Sequence, residues 1–96
     1  MKKLVLWEIN NNLMPTDPGE RMKLISTMLE MVKKDVDNGE IDWGSSPSAM
    51  RGYVVSEQDE SVIYSKSIMF SPYATFEIIP IISVDQAINA VKGIQQ

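Results

Sequence analysis

The chain contains no cysteine and no histidine among its 96 residues. The missing thiols exclude disulfide bonds and thiolate nucleophiles, and the missing imidazoles exclude the commonest metal ligand and every histidine general base. Proton transfer is left to Asp, Glu, Tyr and Lys, and a carboxylate acts near neutral pH only where burial raises its pKa. We therefore expect no cofactor and no metal, and the sequence leaves open whether the protein is an enzyme.

Long apolar runs are also missing. The first seven residues begin like a signal peptide, but Glu8 interrupts the run before a hydrophobic region of about seven residues can form. No other stretch approaches the roughly 18 apolar residues that cross a bilayer. We therefore expect no export, no membrane partner and a cytoplasmic location.

Clustered positive charge is the third absence. The nine Lys and Arg residues are scattered along a chain of net charge −4, whereas phosphate binding relies on basic clusters. Arg51-Gly52-Tyr53 does match the start of an RNA-recognition motif, but Val54 and Val55 stand where that motif has a small residue and a base-stacking aromatic. The sequence therefore predicts no nucleic-acid partner.

The remaining composition is that of an ordinary globular protein, with 44% hydrophobic and 23% charged residues. A chain of this length has room for one core, so residues 1–96 are predicted to form a single domain. Alternating and helical apolar spacing then locates the elements. Strands are predicted over residues 3–9, 40–45, 50–56 and 73–82, and helices over 18–38, about 58–70 and 84–94.

The helix boundaries rest on capping signals. Asp17 is a good N-cap, Pro18 suits the first helical position, and Gly39 is a good stop for the first helix. Ser83 and Gln86 form a capping box before the last helix. These local signals predict three separate helices.

The element order βαββαβα predicts an α+β, ferredoxin-like domain with an added C-terminal helix. Right-handed crossovers interleave the two β-α-β units into one four-stranded antiparallel sheet, with the first and third strands central. Pro80 cannot donate to a strand ladder, which agrees with an edge position for the fourth strand. Helices should cover one face of the sheet and leave the other face open.

Several short runs resemble a known group of proteins. They are Trp7-Glu8-Ile9-Asn10, Glu20-Arg21-Met22-Lys23, Trp43-Gly44, Gly52-Tyr53, and Pro72-Tyr73 leading into Phe76-Glu77. Together they resemble a family of short uncharacterised prokaryotic proteins of similar length, distantly like muconolactone isomerase. The resemblance implies a dimeric α+β barrel in which two ferredoxin-like sheets face each other. It implies no particular activity, because a shared fold does not carry chemistry with it.

Strand alternation predicts which side chains lie on the open face. Val5, Trp7 and Ile9 belong to the more apolar set, which we assign to the helix-covered face. The opposite set includes five apolar residues, Leu4, Leu6, Tyr53, Val55 and Ile79, and an apolar open face commonly meets a partner. A homodimer through this face is therefore expected.

The same assignment yields the candidate site. Glu8 and Glu77 on the open face are the candidate catalytic carboxylates, because two neighbouring carboxylates can share a proton. Arg51 is the candidate anion-binding residue and Tyr53 a candidate ligand contact on the same face. Trp43, beside the hairpin turn, is a further candidate ligand contact. The competing interpretation is structural: the carboxylates pair with Arg51 or with the other subunit, and the tryptophans belong to the core.

Two functional hypotheses follow. The first is a small homodimeric binding protein or cofactor-free enzyme, of isomerase or lyase type, with a cavity on the open sheet face for a small organic acid. The alternative is a non-catalytic structural or regulatory dimerisation module. An enclosed carboxylate would favour the first, and a dry, fully packed interface would favour the second.

Overall fold

A computed structural model describes residues 2–95, so the two terminal residues of the predicted 1–96 domain lie outside the described part. Seven helices and strands follow one another along the chain: β1 (Lys3–Ile9), α1 (Pro18–Asp37), β2 (Ile41–Ser45), β3 (Arg51–Ser56), α2 (Glu60–Met69), β4 (Ala74–Pro80) and α3 (Val84–Gln95). The α+β fold class predicted from the sequence is confirmed.

The four strands form one antiparallel sheet in the order β2-β3-β1-β4. The central strand β1 pairs with β3, where Trp7 lies opposite Gly52, and with β4, where Trp7 lies opposite Phe76. The order and the antiparallel pairing are those of a ferredoxin-like sheet. β4 is an edge strand that ends at Pro80, as its proline predicts.

The helices begin where their capping residues indicate. The Asp17 carboxylate accepts a hydrogen bond of 2.9 Å from the backbone N–H of Glu20, with Pro18 in the first turn. The capping box of α3 is present, because the N–H of Gln86 donates to Ser83 Oγ at 3.1 Å and the N–H of Ser83 donates to Gln86 Oε1 at 2.9 Å. Local sequence signals alone account for these boundaries.

The structure shortens some predicted elements. β4 spans residues 74–80 instead of 73–82, and α2 spans 60–69 because the side chain of Asp59 caps it. The loop predicted after β1 contains a single 3-10 turn, Asn11–Leu13. These differences of one or two residues at element ends leave the predicted topology intact.

The chain buries little of its apolar surface. Only three apolar side chains among the described residues are buried, those of Val5, Met14 and Ile63. The accessible area is 7000 Å², whereas a compact monomer of 10.8 kDa exposes about 5,500 Å². Large apolar residues on all three helices are exposed, including Met22, Leu29 and Ile94. The isolated chain therefore presents an apolar surface that a compact monomer would bury.

No helix among residues 2–95 combines the length and the hydropathy that a bilayer crossing requires.

Candidate functional site

The two faces of the sheet carry the side chains that strand alternation predicts. Val5, Trp7 and Ile9 of β1 face the helices and line a groove between them and the sheet. Leu6 and Glu8, the alternate residues of β1, line a shallow depression on the opposite, open face. The predicted assignment of the faces is confirmed, and each face has its own concave surface.

The floor of the groove is built around a pair of tryptophans. The rings of Trp7 on β1 and Trp43 on β2 are stacked, with centroids 5.5 Å apart and planes inclined by 10°. β3 runs between these two strands, with Gly52 opposite Trp7 and Val54 opposite Trp43. A Cβ at Gly52 would overlap the Trp7 indole and the backbone oxygen of Gly44. A glycine at this point of β3 thus allows the indole to lie flat across the strand.

The groove has a volume of about 870 Å³ and lies between α1 and α2 above the sheet. Its α1 wall includes Ile25, Met28 and Val32, which recur at helical spacing. Its second wall includes Ile63 of α2 and Phe70, the residue that follows α2. Small-molecule sites are concave, mostly apolar and about 300–1,000 Å³ in volume, so the groove has the size and lining of such a site.

A cation lies at one end of this groove. Arg21, in the first turns of α1, is half-buried and lines the groove. Its guanidinium donates a hydrogen bond to Asn11 Oδ1, just beyond the end of β1. No acidic side chain among residues 2–95 forms an ion pair with Arg21. Its remaining N–H groups can therefore bind a carboxylate or another planar anion at this end.

A second cation, Lys66 on α2, is already paired. Its ammonium lies 3.0 Å from Asp35 Oδ2 at the end of α1 and 3.1 Å from Glu40 Oε2 just before β2. Glu40 also accepts a hydrogen bond from the side-chain amide of Gln58. Partial burial acts to lower the pKa of Lys66, but the hydrogen bonds to Asp35 and Glu40 outweigh it and raise the pKa above 10.5. This bridge ties α2 to the end of α1.

One polar atom on the groove floor has no partner. Trp7 Nε1 is buried and makes no hydrogen bond with the described residues. A buried N–H donor without an acceptor is costly, by about 1–3 kcal/mol. An acceptor atom supplied by a bound molecule would remove that cost.

The open face collects the residues proposed for catalysis. Glu8 lies directly opposite Arg51 on β3, and Glu77 on β4 is diagonal to Glu8 because it pairs with Leu6. Glu8, Arg51 and Glu77 line one depression of about 310 Å³, and Tyr53 pairs with Leu6 beside it. All four predicted residues therefore lie in one patch, and all four are exposed in the single chain.

Trp43 is separated from these four residues. The sequence predicts it as a ligand contact too, but its ring stacks on Trp7 on the helix-covered face. Tyr53 occupies the matching position on the open face, since a Cβ at Gly44 would overlap its ring. The predicted site residues are thus divided between two surfaces.

Sequence reasoning did not find Arg21, the Lys66 bridge or the role of Gly52. A glycine inside a strand is a signal for a close approach, and Gly52 carries that signal. Arg21 and Lys66 had no comparable signal, because their roles depend on residues distant in the chain. No group of three Asp or Glu side chains that could hold a metal ion occurs in residues 2–95.

The fold and the groove define the class of the protein: a small α+β protein with a ferredoxin-like sheet and an apolar groove between α1 and α2 above that sheet. No protein-family model matches the chain, and no curated protein matches it. The resemblance to short prokaryotic proteins therefore reaches as far as the small α+β fold with its four-stranded antiparallel sheet.

Proposed function

We propose that this protein is a homodimeric binding protein for a small, largely apolar organic acid, and that the acid binds in the groove between the helices and the sheet. The observation that carries the proposal is the groove itself, which has an aromatic floor, aliphatic walls and about 870 Å³ of space. The ligand class matches the acid expected from the sequence. The place differs, since the larger concavity lies on the helix-covered face.

The apolar part of the ligand would contact the floor and the α1 wall. Trp7 and Trp43 form a flat, stacked surface, and Met28 is a flexible side chain that adapts to irregular shapes. Each apolar Å² removed from water contributes about 25 cal/mol, so a ligand that buries about 200 Å² gains roughly 5 kcal/mol before the cost of association. The site should therefore bind ligands with a large apolar part more tightly than small polar ones.

The acidic group would lie at the Arg21 end. Arg21 is half-buried, and its one described hydrogen bond goes to the neutral side chain of Asn11. The Lys66 ammonium is a weaker candidate, because Asp35 and Glu40 already neutralise it. Arg21 is thus the anchor that we assign to a carboxylate at one end of the apolar groove.

Tryptophan fluorescence tests this proposal, because both tryptophans of the chain lie on the groove floor. The wild-type protein is titrated with medium-chain fatty acids and with aromatic acids, and saturable changes in emission are expected. Arg21→Gln should weaken binding about tenfold to a hundredfold, since a hydrogen bond to a charged group contributes about 1.5–3 kcal/mol. Lys23→Gln, an exposed substitution on the outer side of α1, is the matched control.

If no acid changes the emission or raises the melting temperature, the binding proposal fails. The dimerisation module, which needs no ligand, then becomes the better interpretation.

A second candidate places cofactor-free isomerase or lyase chemistry on the open face. It is favoured by the register that puts Glu8 opposite Arg51 and diagonal to Glu77. A second copy facing this surface would enclose the carboxylates, and burial would allow one of them to act as a base. Thermal-shift screening against small keto and dicarboxylic acids tests this candidate. A stabilisation lost in Glu8→Gln and Glu77→Gln but kept in Asp42→Asn, on the same face, is the expected result.

A further inference from the structure

The C-terminal helix α3 has an apolar face that is largely exposed in the part of the chain that the structure describes. Val84, Ala87, Ile88, Val91 and Ile94 recur at helical spacing and form one stripe. Val84, Val91 and Ile94 are 73%, 54% and 84% exposed. An isolated amphipathic helix of twelve residues is marginal in water, because most helical stability in proteins comes from packing of the apolar face. This helix therefore needs a partner surface.

The path of the chain carries α3 away from the sheet. The N–H of Ile81 donates to the carbonyl of Lys2, so the β1–β4 pairing continues one step past Pro80. Ser83 caps α3 two residues later. The exposure of α3 and the elongated molecule, which measures 62 × 26 × 24 Å, indicate that α3 extends away from the sheet. Its radius of gyration is 16.4 Å, against about 12.5 Å for a compact chain of this length.

No α3 residue among those described lines the groove, and α3 is an amphipathic helix of the kind that covers an apolar groove. Leu29 on α1 and Met69 on α2 line the groove, and they are 47% and 65% exposed. A twelve-residue helix is about 18 Å long and 10 Å wide, a volume of about 1,400 Å³, so it exceeds the groove and would lie across the mouth. The tryptophan floor would remain as an enclosed chamber beneath it.

The surface area of the chain agrees with an exchange of α3 between two copies. Each chain exposes about 1,500 Å² more than a compact monomer of its mass, which amounts to about 3,000 Å² for a pair. Obligate homodimers bury about 2,000–5,000 Å². In a two-fold pair each copy gives one α3 and receives one, so both unsatisfied surfaces are covered at once.

We propose that α3 of one copy lies across the groove of a second copy, with its apolar stripe on Leu29 and Met69, so that the binding chamber is complete only in the dimer. This inference extends the proposed function, because the acid would bind beneath a helix of the partner. The exchange itself rests on α3, the groove and the exposed area, and it stands whether or not a ligand is found.

Cysteine cross-linking tests the exchange directly, because the chain has no native cysteine. The full-length double variant Leu29→Cys/Val91→Cys is treated with a short bismaleimide and its mass is read under denaturing conditions. The exchange predicts a covalent dimer of twice 10.8 kDa. The matched control is Glu30→Cys/Val91→Cys, in which the α1 cysteine lies on the outer side of the helix and should not cross-link.

Three outcomes would overturn the proposal. An internally cross-linked monomer shows that α3 folds back onto its own groove. Equal cross-linking in the Glu30 control shows contact without a defined interface. A protein that light scattering finds to be monomeric at micromolar concentration has no second copy to accept α3.

A second measurement guards against a cysteine variant that fails to fold. Ile88→Glu places a charge on the apolar stripe, and Asn89→Glu places the same charge on the polar side of α3. The exchange predicts at least a tenfold rise in the dimer dissociation constant for Ile88→Glu, with little change for Asn89→Glu. Equal dissociation constants for the two variants would contradict it. Neither measurement uses a ligand, so failure of the exchange and failure of acid binding are distinguishable.

Discussion

The indole of Trp7 lies over the backbone of Gly52, and a Cβ at that glycine would overlap the ring. Because β3 is the strand between β1 and β2, the absence of a Cβ at Gly52 is what allows Trp7 to stack on Trp43 across a whole strand. The groove floor therefore depends on a residue with no side chain.

Gly52→Ala should destabilise the protein by about 1–3 kcal/mol, the usual cost of adding a methyl group to a packed surface. The new Cβ would meet the Trp7 ring and the carbonyl oxygen of Gly44, and the backbone oxygen cannot rotate away. Thermal unfolding followed by circular dichroism measures the change. Gly93→Ala is the control: it meets nothing within 4 Å and should keep or slightly raise the melting temperature, since Ala favours a helix.

Gly44→Ala should lower the free energy of unfolding by less than Gly52→Ala does, because the new Cβ would clash mainly with the ring of Tyr53. That side chain is 40% exposed and can swing toward solvent. In a Tyr53→Ala background, Gly44→Ala should lower the free energy of unfolding by no more than a few tenths of a kcal/mol. Such a dependence on the background is the coupling expected of two residues in contact. Urea unfolding midpoints of the wild type, the two single variants and the double variant measure this coupling. Equal costs in both backgrounds would show that the ring is not the obstacle.

Trp43→Phe should remove the exciton signal that two closely stacked indoles produce in circular dichroism. The two tryptophans of the chain are the stacked pair, so the signal reports on this contact alone. Because Phe keeps most of the apolar area, the melting temperature should change only slightly. An exciton signal that survives the substitution would mean that Trp7 and Trp43 are not its source.

The Lys66 bridge gives stability that should disappear at high pH. Its pKa is raised in the folded protein, so the contribution is complete below 10.5 and is lost as the pH rises through the folded-state value. The side chain is 33% exposed, which limits the contribution to about 0.5–1 kcal/mol. Lys66→Gln should therefore lower the free energy of unfolding by this amount at neutral pH. Denaturant unfolding should also show that the stability of this variant falls less with rising pH than that of the wild type.

Lys33→Gln is the matched control for the bridge. Its pair with Asp37 joins two exposed side chains of one helix, and such pairs contribute about 0.3–0.5 kcal/mol. If Lys33→Gln lowers the free energy of unfolding as much as Lys66→Gln does, the link between α1 and α2 adds no stability beyond that of an exposed ion pair.

The cap of α2 should weaken in acid. Hydrogen bonds from the hydroxyl and the backbone N–H of Ser61 lower the pKa of Asp59 below 3.8. The contribution is therefore complete above that value and is lost as the pH falls through the lower folded-state pKa. Asp59→Asn keeps an N-cap acceptor without a titrating charge, so its unfolding midpoint should fall less steeply in acid than that of the wild type. Glu57→Gln, which lies outside the helix, should behave like the wild type.

The face assignment was predictable, whereas the location of the larger concavity was not. Alternation along β1 separates Trp7 from Glu8 whatever the rest of the chain does, because successive side chains of a strand point to opposite faces. The groove exists because α1 and α2 stand apart above the sheet, and that spacing is set by packing between distant residues. The pairing of Lys66 with Asp35 is an example, since the two residues are brought together only by the fold.

The sequence by itself determined the elements, their caps and the sidedness of the sheet. These depend on short-range physics: Asp17, Ser83 and Gln86 satisfy helix ends within one turn, and apolar residues at a period of two define a strand face. Only the tertiary structure decided that Trp7 reaches Trp43 across Gly52, that Arg21 lies at the end of an apolar groove, and that α3 extends from the sheet with its apolar face unpaired. Those features depend on distances between residues far apart in the chain, and no local pattern encodes such distances.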